Sequence, residues 1–379
     1  MADQATTKLS EEKIRMKKIF ALMLAVLLVV SFAACGSGGK KDDGTYEIAL
    51  VTDVGNIDDK SFNEGAWNGV KAFAEANKKS YNYYRPSEDS TAARIETIGT
   101  AIEKGAKVVV CPGYLFEEAV YEVQDIYPDV KFLLLDGEPH TADYSVYNTA
   151  ANTHNILYKE EQAGFFAGYA AVMDGYRKLG FTGGMAVPAV IRYGYGFVQG
   201  ADAAAQVLGL AKGDVSIKYW YAGGFAPTDE IKVKASGWYT DGTEIVFSCG
   251  GGIYLSVVAA AEEATNAKVI GVDVDQAGES ALIVTSAMKE LATSVQLSLE
   301  ALYGNNMEWP ADYAGTTAIL GAAEDCVGLP TAADSWRFNT FTVEEYQVLF
   351  DMVKSGEMPI SNATDVAPAT TIVTVDYQE

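Results

Sequence analysis

Short runs of apolar residues, unbroken except for a charged first residue in most, recur along this chain between longer stretches of helical period. Ile48–Val51, Lys107–Val110, Lys131–Leu135, Glu244–Phe247 and Lys268–Val272 are runs of this kind. A strand with one wet face alternates apolar and polar residues, whereas one covered by helices on both faces is apolar throughout, so these runs predict buried parallel sheet. Between them, Ala92–Lys104 sets Ile95, Ile98 and Ile102 on one helical stripe, and Leu115–Ile126 behaves likewise. The alternation predicts an α/β fold. At 379 residues the chain is longer than one core usually supports, which predicts two domains.

The pattern also repeats itself. Gly65-x-x-x-Gly69, Val-Val-Val-Cys111-Pro-Gly and Leu-Leu-Leu-Asp136 in the first half are answered by Gly196-x-x-x-Gly200, Ile-Val-Phe-Ser-Cys249-Gly-Gly and Ile-Gly-Val-Asp273. The offsets are 131 from Gly69 to Gly200, 138 from Cys111 to Cys249 and 137 from Asp136 to Asp273. Three such offsets in order predict two lobes of like topology. Each Asp closes a buried strand, so its carboxylate is expected at the carboxyl edge of the sheet, where open α/β sheets bind ligands. Two edges facing each other make a hinged cleft. Lobe 1 is expected to take residues 46–152 and 286–312, and lobe 2 residues 153–285 and 313–379. In that division a helix over Ala287–Leu302 packs on lobe 1, and the strand Thr316–Leu320 returns to lobe 2.

The N-terminal segment carries a different signal. Met16-Lys17-Lys18 precedes sixteen uncharged residues, Ile19 to Ala34, fewer than the roughly 20 a spanning helix needs. A basic start, a short apolar run and small residues before Cys35 predict a lipoprotein export signal over residues 16–34, with Phe32 standing where a lipobox usually has Leu. Cys35 is then the lipid-attachment site, anchoring the chain to the outer face of a membrane. Residues 35–45, rich in Gly and charge, read as a tether. Residues 1–15 do not fit an export signal and form a leader of unclear origin.

Composition narrows the chemistry. The chain has 51 acids against 28 bases, a net charge of −23. Removing residues 1–34 takes away three acids and five bases and leaves 48 against 23, a net −25. A chain that acidic repels a phosphate backbone, so nucleic acid is not an expected partner. With His140 and His154 as its only histidines, it has no multi-His metal site, and no metal or cofactor is expected. Cys111, Cys249 and Cys326 are too few and too widely spaced for a disulfide framework or zinc site and read as buried small hydrophobes.

Thr52-Asp53-Val-Gly-Asn-Ile-Asp58-Asp59-Lys60-Ser61-Phe62-Asn63, followed by Trp67 and Gly69, resembles the signature of the basic membrane protein family, substrate-binding lipoproteins of ABC importers similar to purine nucleoside receptors. Gly183-Gly184-Met185 with Pro188, Gly196-Phe197, Gly271-Val-Asp273-Val-Asp275-Gln276 and Thr285-Ser286-x-x-Lys289 extend the likeness from about Tyr46 to the C-terminal end. The resemblance implies a type I periplasmic-binding-protein fold, two Rossmann-like lobes joined by a hinge. It also implies a monomer that holds a purine nucleoside and hands it to an ABC permease. Carried over, it puts Phe62 against the base, Asp136 on the base's polar edge, and Asp273 and Lys289 on the ribose hydroxyls. Asp53, Ser61 and Asn63 line the first-lobe wall, and Gly251 brings backbone close to the sugar. The second aromatic wall is Phe225 or Tyr193. Ile57 before the Asp pair and Cys249 before the glycines depart from the family pattern.

Such a site has a clear physical logic. Stacking on aromatic walls contributes roughly 1–3 kcal/mol per base whatever the base, so edge hydrogen bonds must discriminate. A carboxylate at Asp136 accepts from ring N–H or amine, at about 1.5–3 kcal/mol per bond. Asp273, with two accepting oxygens, suits a diol, with Lys289 partly neutralising it. Three carboxylates converging on a cleft repel a phosphate, which predicts a nucleoside as ligand over its nucleotide. Asp58-Asp59 reads as solvated loop charge, the Gly250–Gly252 run as a strand-to-helix turn, and the paired Gly-x-x-x-Gly segments as close helix packing. Two other functions fit the same features: an exported nucleoside hydrolase, and a sensor of this fold for a sugar or autoinducer-like ligand.

Overall fold

The structure, a computed structural model, describes residues 44–379. The leader, the export signal, Cys35 and the first part of the tether lie outside the described residues. Thirteen strands are described: β1 Ile48–Val51, β2 Tyr81–Tyr84, β3 Val108–Pro112, β4 Lys131–Leu135, β5 Thr153–Tyr158, β6 Lys178–Gly183, β7 Ser216–Tyr221, β8 Ile245–Cys249, β9 Lys268–Asp273, β10 Ile283–Lys289, β11 Thr316–Leu320, β12 Val327–Gly328 and β13 Thr374–Tyr377. The helices are α1 Phe62–Asn77, α2 Thr91–Glu103, α3 Glu117–Ile126, α4 Glu160–Met173, α5 Pro188–Val207, α6 Asp229–Thr240, α7 Tyr254–Glu262, α8 Leu291–Gly304 and α9 Val343–Lys354.

The strands form two sheets, ordered β11-β5-β4-β3-β1-β2 and β12-β10-β9-β8-β6-β7-β13. Every pairing is parallel except the short β10/β12 contact. β1, β3, β4 and β8 are buried along their whole length, as their apolar sequences require. Tyr81–Tyr84 is the edge strand farthest from the crossovers.

The lobe division differs from the expected one in two strands. Thr153–Tyr158 lies between β4 and β11 in the first sheet, and Thr316–Leu320 is that sheet's edge strand, not part of lobe 2. The chain therefore crosses between sheets after Tyr158, after Lys289 and after Leu320. These crossovers touch: Lys159 N donates to Leu320 O at 2.8 Å, Glu290 N to Cys326 O at 2.9 Å, and Ala322 N to Gln162 Oε1 at 2.8 Å. β10 of the second sheet runs to Lys289, so the helix expected from Ala287 begins at Leu291. That helix does pack on α1 in the first lobe: a Cβ on Gly69 would sit 2.5 Å from Ala292 O.

Glycine spacing sets the second close contact. On α5, Cβ atoms at Gly196 and Gly200 would lie 1.9 and 2.0 Å from the carbonyls of Glu161 and Phe165 on α4. No side chain fits there, so both Gly-x-x-x-Gly segments serve helix packing, as their sequence suggests. The internal repeat is also real in three dimensions, with one register change. β3, its 3-10 turn Tyr114–Phe116 and α3 correspond to β8, Gly251–Ile253 and α7 at an offset of 137, so Pro112, not Cys111, matches Cys249.

Candidate functional site

Both repeats end their central strands the same way. Asp136 follows β4 with φ 58° and Asp273 ends β9 with φ 65°, left-handed conformations that only a few residue types adopt readily. Gly113 and Gly250, which follow β3 and β8, have φ 115° and 150°. These turns bend the chain sharply at the carboxyl edges, and the edges of the two sheets face one cavity of about 460 Å³. Asp53, Phe62, Asn63, Asp136, Tyr193, Phe225, Gly251, Asp273 and Lys289 all line it. Ser61 is buried behind the wall and donates to Asp273 Oδ2 at 2.5 Å.

The first-lobe wall is tied together around the start of α1. Asp59 accepts from the backbone N–H groups of Ser61, Asn63 and Glu64 at 2.9, 3.0 and 3.1 Å, capping the helix from two residues before the usual position. This corrects the reading of Asp59 as a solvated charge; Asp58 beside it is exposed. Because Asp59 satisfies the helix, the Ser61 hydroxyl is free to cross to the other lobe. Asn63 Nδ2 donates to Asp53 Oδ1 at 2.8 Å and to Asp59 Oδ2 at 3.0 Å, joining the two carboxylates. Burial pushes Asp53 up to about 6 despite its bonds to Gly55 N and Asn63.

Phe62 and Phe225, one from each lobe, are half-buried and open on the cavity. Phe225 sits on the glycine turn: Gly252 N donates to its carbonyl at 2.9 Å, and a Cβ on Gly250 would meet its ring at 3.0 Å. Tyr193 is only 1% exposed, and its hydroxyl lies 3.5 Å from Asp273 Oδ1 and 3.3 Å from Ala287 O. Of the two candidates for the second aromatic wall, Phe225 has the free face.

Lys289 is the charge centre. It is 3% exposed and bonds Asp136 Oδ2 from lobe 1; Glu160 Oε1 lies 3.1 Å away and Asp273 Oδ1 3.9 Å. Glu160, fully buried at the first crossover, also takes Arg192 Nε at 2.5 Å. Burial opposes the ammonium, yet the three carboxylates outweigh it and hold Lys289 above its ordinary value. Burial likewise pushes Asp136 up to about 7, against the pull of Lys289, and raises Asp273. For Glu160 burial acts upward, but Arg192 and Lys289 together bring it below the ordinary range. Lys289 thus pairs chiefly with Asp136 and Glu160, where the sequence assigned it to Asp273 and a sugar.

Two features were not legible in the sequence: the Glu160–Arg192 pair under Lys289, and the bond from Ser61 to Asp273. The acidic pair after Tyr158 signals a helix start and nothing more. Asp136 Oδ1 is buried without a hydrogen-bond partner and belongs to a cavity-lining residue, so one acceptor there is unused. Ser61–Asp273 and the 2.8 Å bond from Gln276 Nε2 to Lys60 O join the rims of the two lobes directly.

Two parallel-sheet lobes joined by three crossovers, with a cleft that has an aromatic ring on each side, define the type I periplasmic-binding-protein fold. Solved structures of that fold superpose on the chain. An ABC transporter solute-binding protein from Aeropyrum pernix K1 does so with a TM-score of 0.69 at 21% identity, over 84% of this chain and 93% of that one. One from Conexibacter woesei gives 0.63 at 19% identity, over 84% and 99%. Residues 47–359 match the family model Bmp, described as ABC transporter substrate-binding protein PnrA-like, and the chain belongs to that family. It is 29% identical over 366 residues to the CD4+ T-cell-stimulating antigen of Listeria monocytogenes, covering 87% of this chain and 96% of that protein. It is 28% identical over 309 residues to the ABC transporter nucleoside-binding protein BmpA of Lactococcus lactis, covering 75% and 83%. The protein is a substrate-binding component of an ABC transporter, working with a permease. Among the described residues no helix is long and apolar enough to cross a membrane.

Proposed function

We propose that this chain is a monomeric, lipid-anchored receptor that captures a purine nucleoside between its lobes and delivers it to its permease. The observation that carries the reading is the pair Phe62 and Phe225, rings from opposite lobes opening on the same cavity as Asp136 and Asp273. A base between those rings leaves its polar edge for the unused Asp136 Oδ1 and its sugar for Asp273 and the Gly251 backbone. Asp273 already accepts from Ser61, but a carboxylate oxygen takes more than one donor, so a diol joins that bond instead of displacing it. A ligand touching both walls favours the closed arrangement by its differential affinity for it, and the closed surface is what the permease meets. Anchoring at Cys35 to the outer membrane face rests on the sequence of residues 16–35.

Five carboxylates, Asp53, Asp58, Asp59, Asp136 and Asp273, line the cavity with Glu160 beneath them, against Lys289, Arg85 and the underlying Arg192, which disfavours a phosphate. Calorimetric titration with nucleosides and their monophosphates tests this: tight nucleoside binding and weak monophosphate binding are expected, and the reverse order overturns the reading. Mass spectrometry of the small molecules released on denaturation identifies the resident ligand. Release of free base from inosine or adenosine would point to a hydrolase instead.

A further inference from the structure

The loop after Asp136 carries a buried histidine that the binding site does not use. Glu117, the first residue of α3, is buried, and its carboxylate reaches into this loop. Oε1 accepts from Glu138 N at 2.8 Å, and Oε2 lies 3.0 Å from His140 Nε2. Between them, Gly137 packs so tightly on Glu117 that a Cβ there would sit 2.6 Å from Glu117 Cγ. Gly137 is the residue directly after Asp136, so Glu117 braces the left-handed turn that presents Asp136 to the cleft. The His140 ring stacks on Tyr144, with centroids 4.2 Å apart, and the Tyr144 hydroxyl bonds that of Tyr114, which lines the cavity.

We propose that Glu117 and His140 are positioning residues for ligand binding, holding the Asp136 turn and the Tyr114 wall in place through a proton shared between carboxylate and imidazole. This rests on the nucleoside reading of the cleft. The proton count follows from the geometry. His140 Nδ1 is 2.7 Å from the carbonyl of Thr141, which only accepts, so a bond there needs a hydrogen on Nδ1. Nε2 faces a carboxylate oxygen, and a bond there needs a second proton, on the ring or on Glu117. Without it the ring has one hydrogen for two acceptors and keeps only one of the two bonds. The clasp is therefore complete on the acid side and one bond short on the alkaline side.

The surroundings favour keeping that proton. Glu138 on the same loop, and Tyr114, Tyr144 and Tyr147, face the pair and bring no cation. Burial raises the Glu117 carboxyl. From β11, Thr317 donates to Glu138 Oε1 at 2.7 Å, and Asp143 is engaged by Thr141 and Ser145 of its own loop.

The test compares the wild type with His140→Leu and Glu117→Gln by calorimetric nucleoside titration at pH 6.5 and 9.0. Ionisation of Asp136 raises affinity over this range in all three proteins, so the reading is the ratio between them. Glu117→Gln keeps both contacts with a neutral ring, its amide donating to Nε2, and His140→Leu has no clasp to lose, so both should show the Asp136 rise alone. Relative to either variant, wild-type affinity is expected to lose about fivefold between the two pH values, the scale of a positioning effect. The same pH response in all three proteins overturns the proposal. A ligand-free measurement separates this from the functional reading: over the same pH range the Glu138 amide, which donates to Glu117, should shift by NMR in the wild type and not in His140→Leu. A Glu138 amide that responds alike in both refutes the clasp even if nucleoside binds, and a wild type that binds no nucleoside refutes the function while the NMR result still stands.

Discussion

Replacing Lys289 with Met keeps most of the side chain's volume and removes one charge from a site where three carboxylates depend on it. Glu160 Oε1 at 3.1 Å and Asp273 Oδ1 at 3.9 Å lose their ammonium, as does Asp136, and all three are buried. Removing one partner from a buried ion pair costs about 3–5 kcal/mol, because the other charge is left uncompensated. At about 2–4 °C per kcal/mol, and less for a body this large, Tm at pH 8 should drop by roughly 5–15 °C. The pH dependence gives the sharper criterion. Without Lys289 the Asp136 and Asp273 values, already raised by burial, rise further above their unfolded ones. Stability linked to a raised value is fully present below the unfolded value and is lost as pH rises through the folded one. The deficit relative to wild type should therefore be large at pH 8 and much smaller at pH 5.5, as Asp136, already at about 7 in the wild type, becomes neutral. Scanning calorimetry of both proteins at the two pH values measures this. Adding Asp136→Asn to Lys289→Met should restore part of the loss at pH 8, because Asp136 pairs with Lys289 and Asn also tolerates its left-handed backbone, whereas Glu160 keeps Arg192. Equal deficits at both pH values would mean that the side chain acts through packing and not through its charge, refuting the account.

Phe62→Ala should weaken nucleoside binding roughly five- to 150-fold, as losing a stacked face worth about 1–3 kcal/mol implies, whereas Asp58→Ala, at an exposed position, should change it little in the same titration. Wild-type affinity should fall on acidification below pH 7, because Asp136 at about 7 and Asp53 at about 6 lose their accepting charge there; a flat acid limb would remove Asp136 from the base edge. Gly196→Val should prevent soluble expression or lower Tm steeply, since even a Cβ at that position lies 1.9 Å from Glu161 O. Cys111 and Cys249 should resist thiol reagents until the protein unfolds, as burial raises both thiols far from reactivity.

The sequence alone determined much of this protein because the relevant information is local. A strand buried on both faces must be apolar throughout, so the runs around Ile48, Val109, Leu133, Val246 and Ile270 announced their sheets. A repeat of like segments announced two lobes and put Asp136 and Asp273 at equivalent strand ends. What stayed hidden depends on partners distant along the chain. Thr153–Tyr158 and Thr316–Leu320 look the same whichever sheet receives them, and only pairing with β4 and with each other assigns them to the first. Glu160 reads as an ordinary acid opening a helix until the crossovers bring it under Lys289, 129 residues away. Glu117 and His140 meet only because the loop after Asp136 folds back on α3. Apolar period is written residue by residue, but the pairing of buried charges is decided by the path of the backbone, and only the tertiary structure contains that.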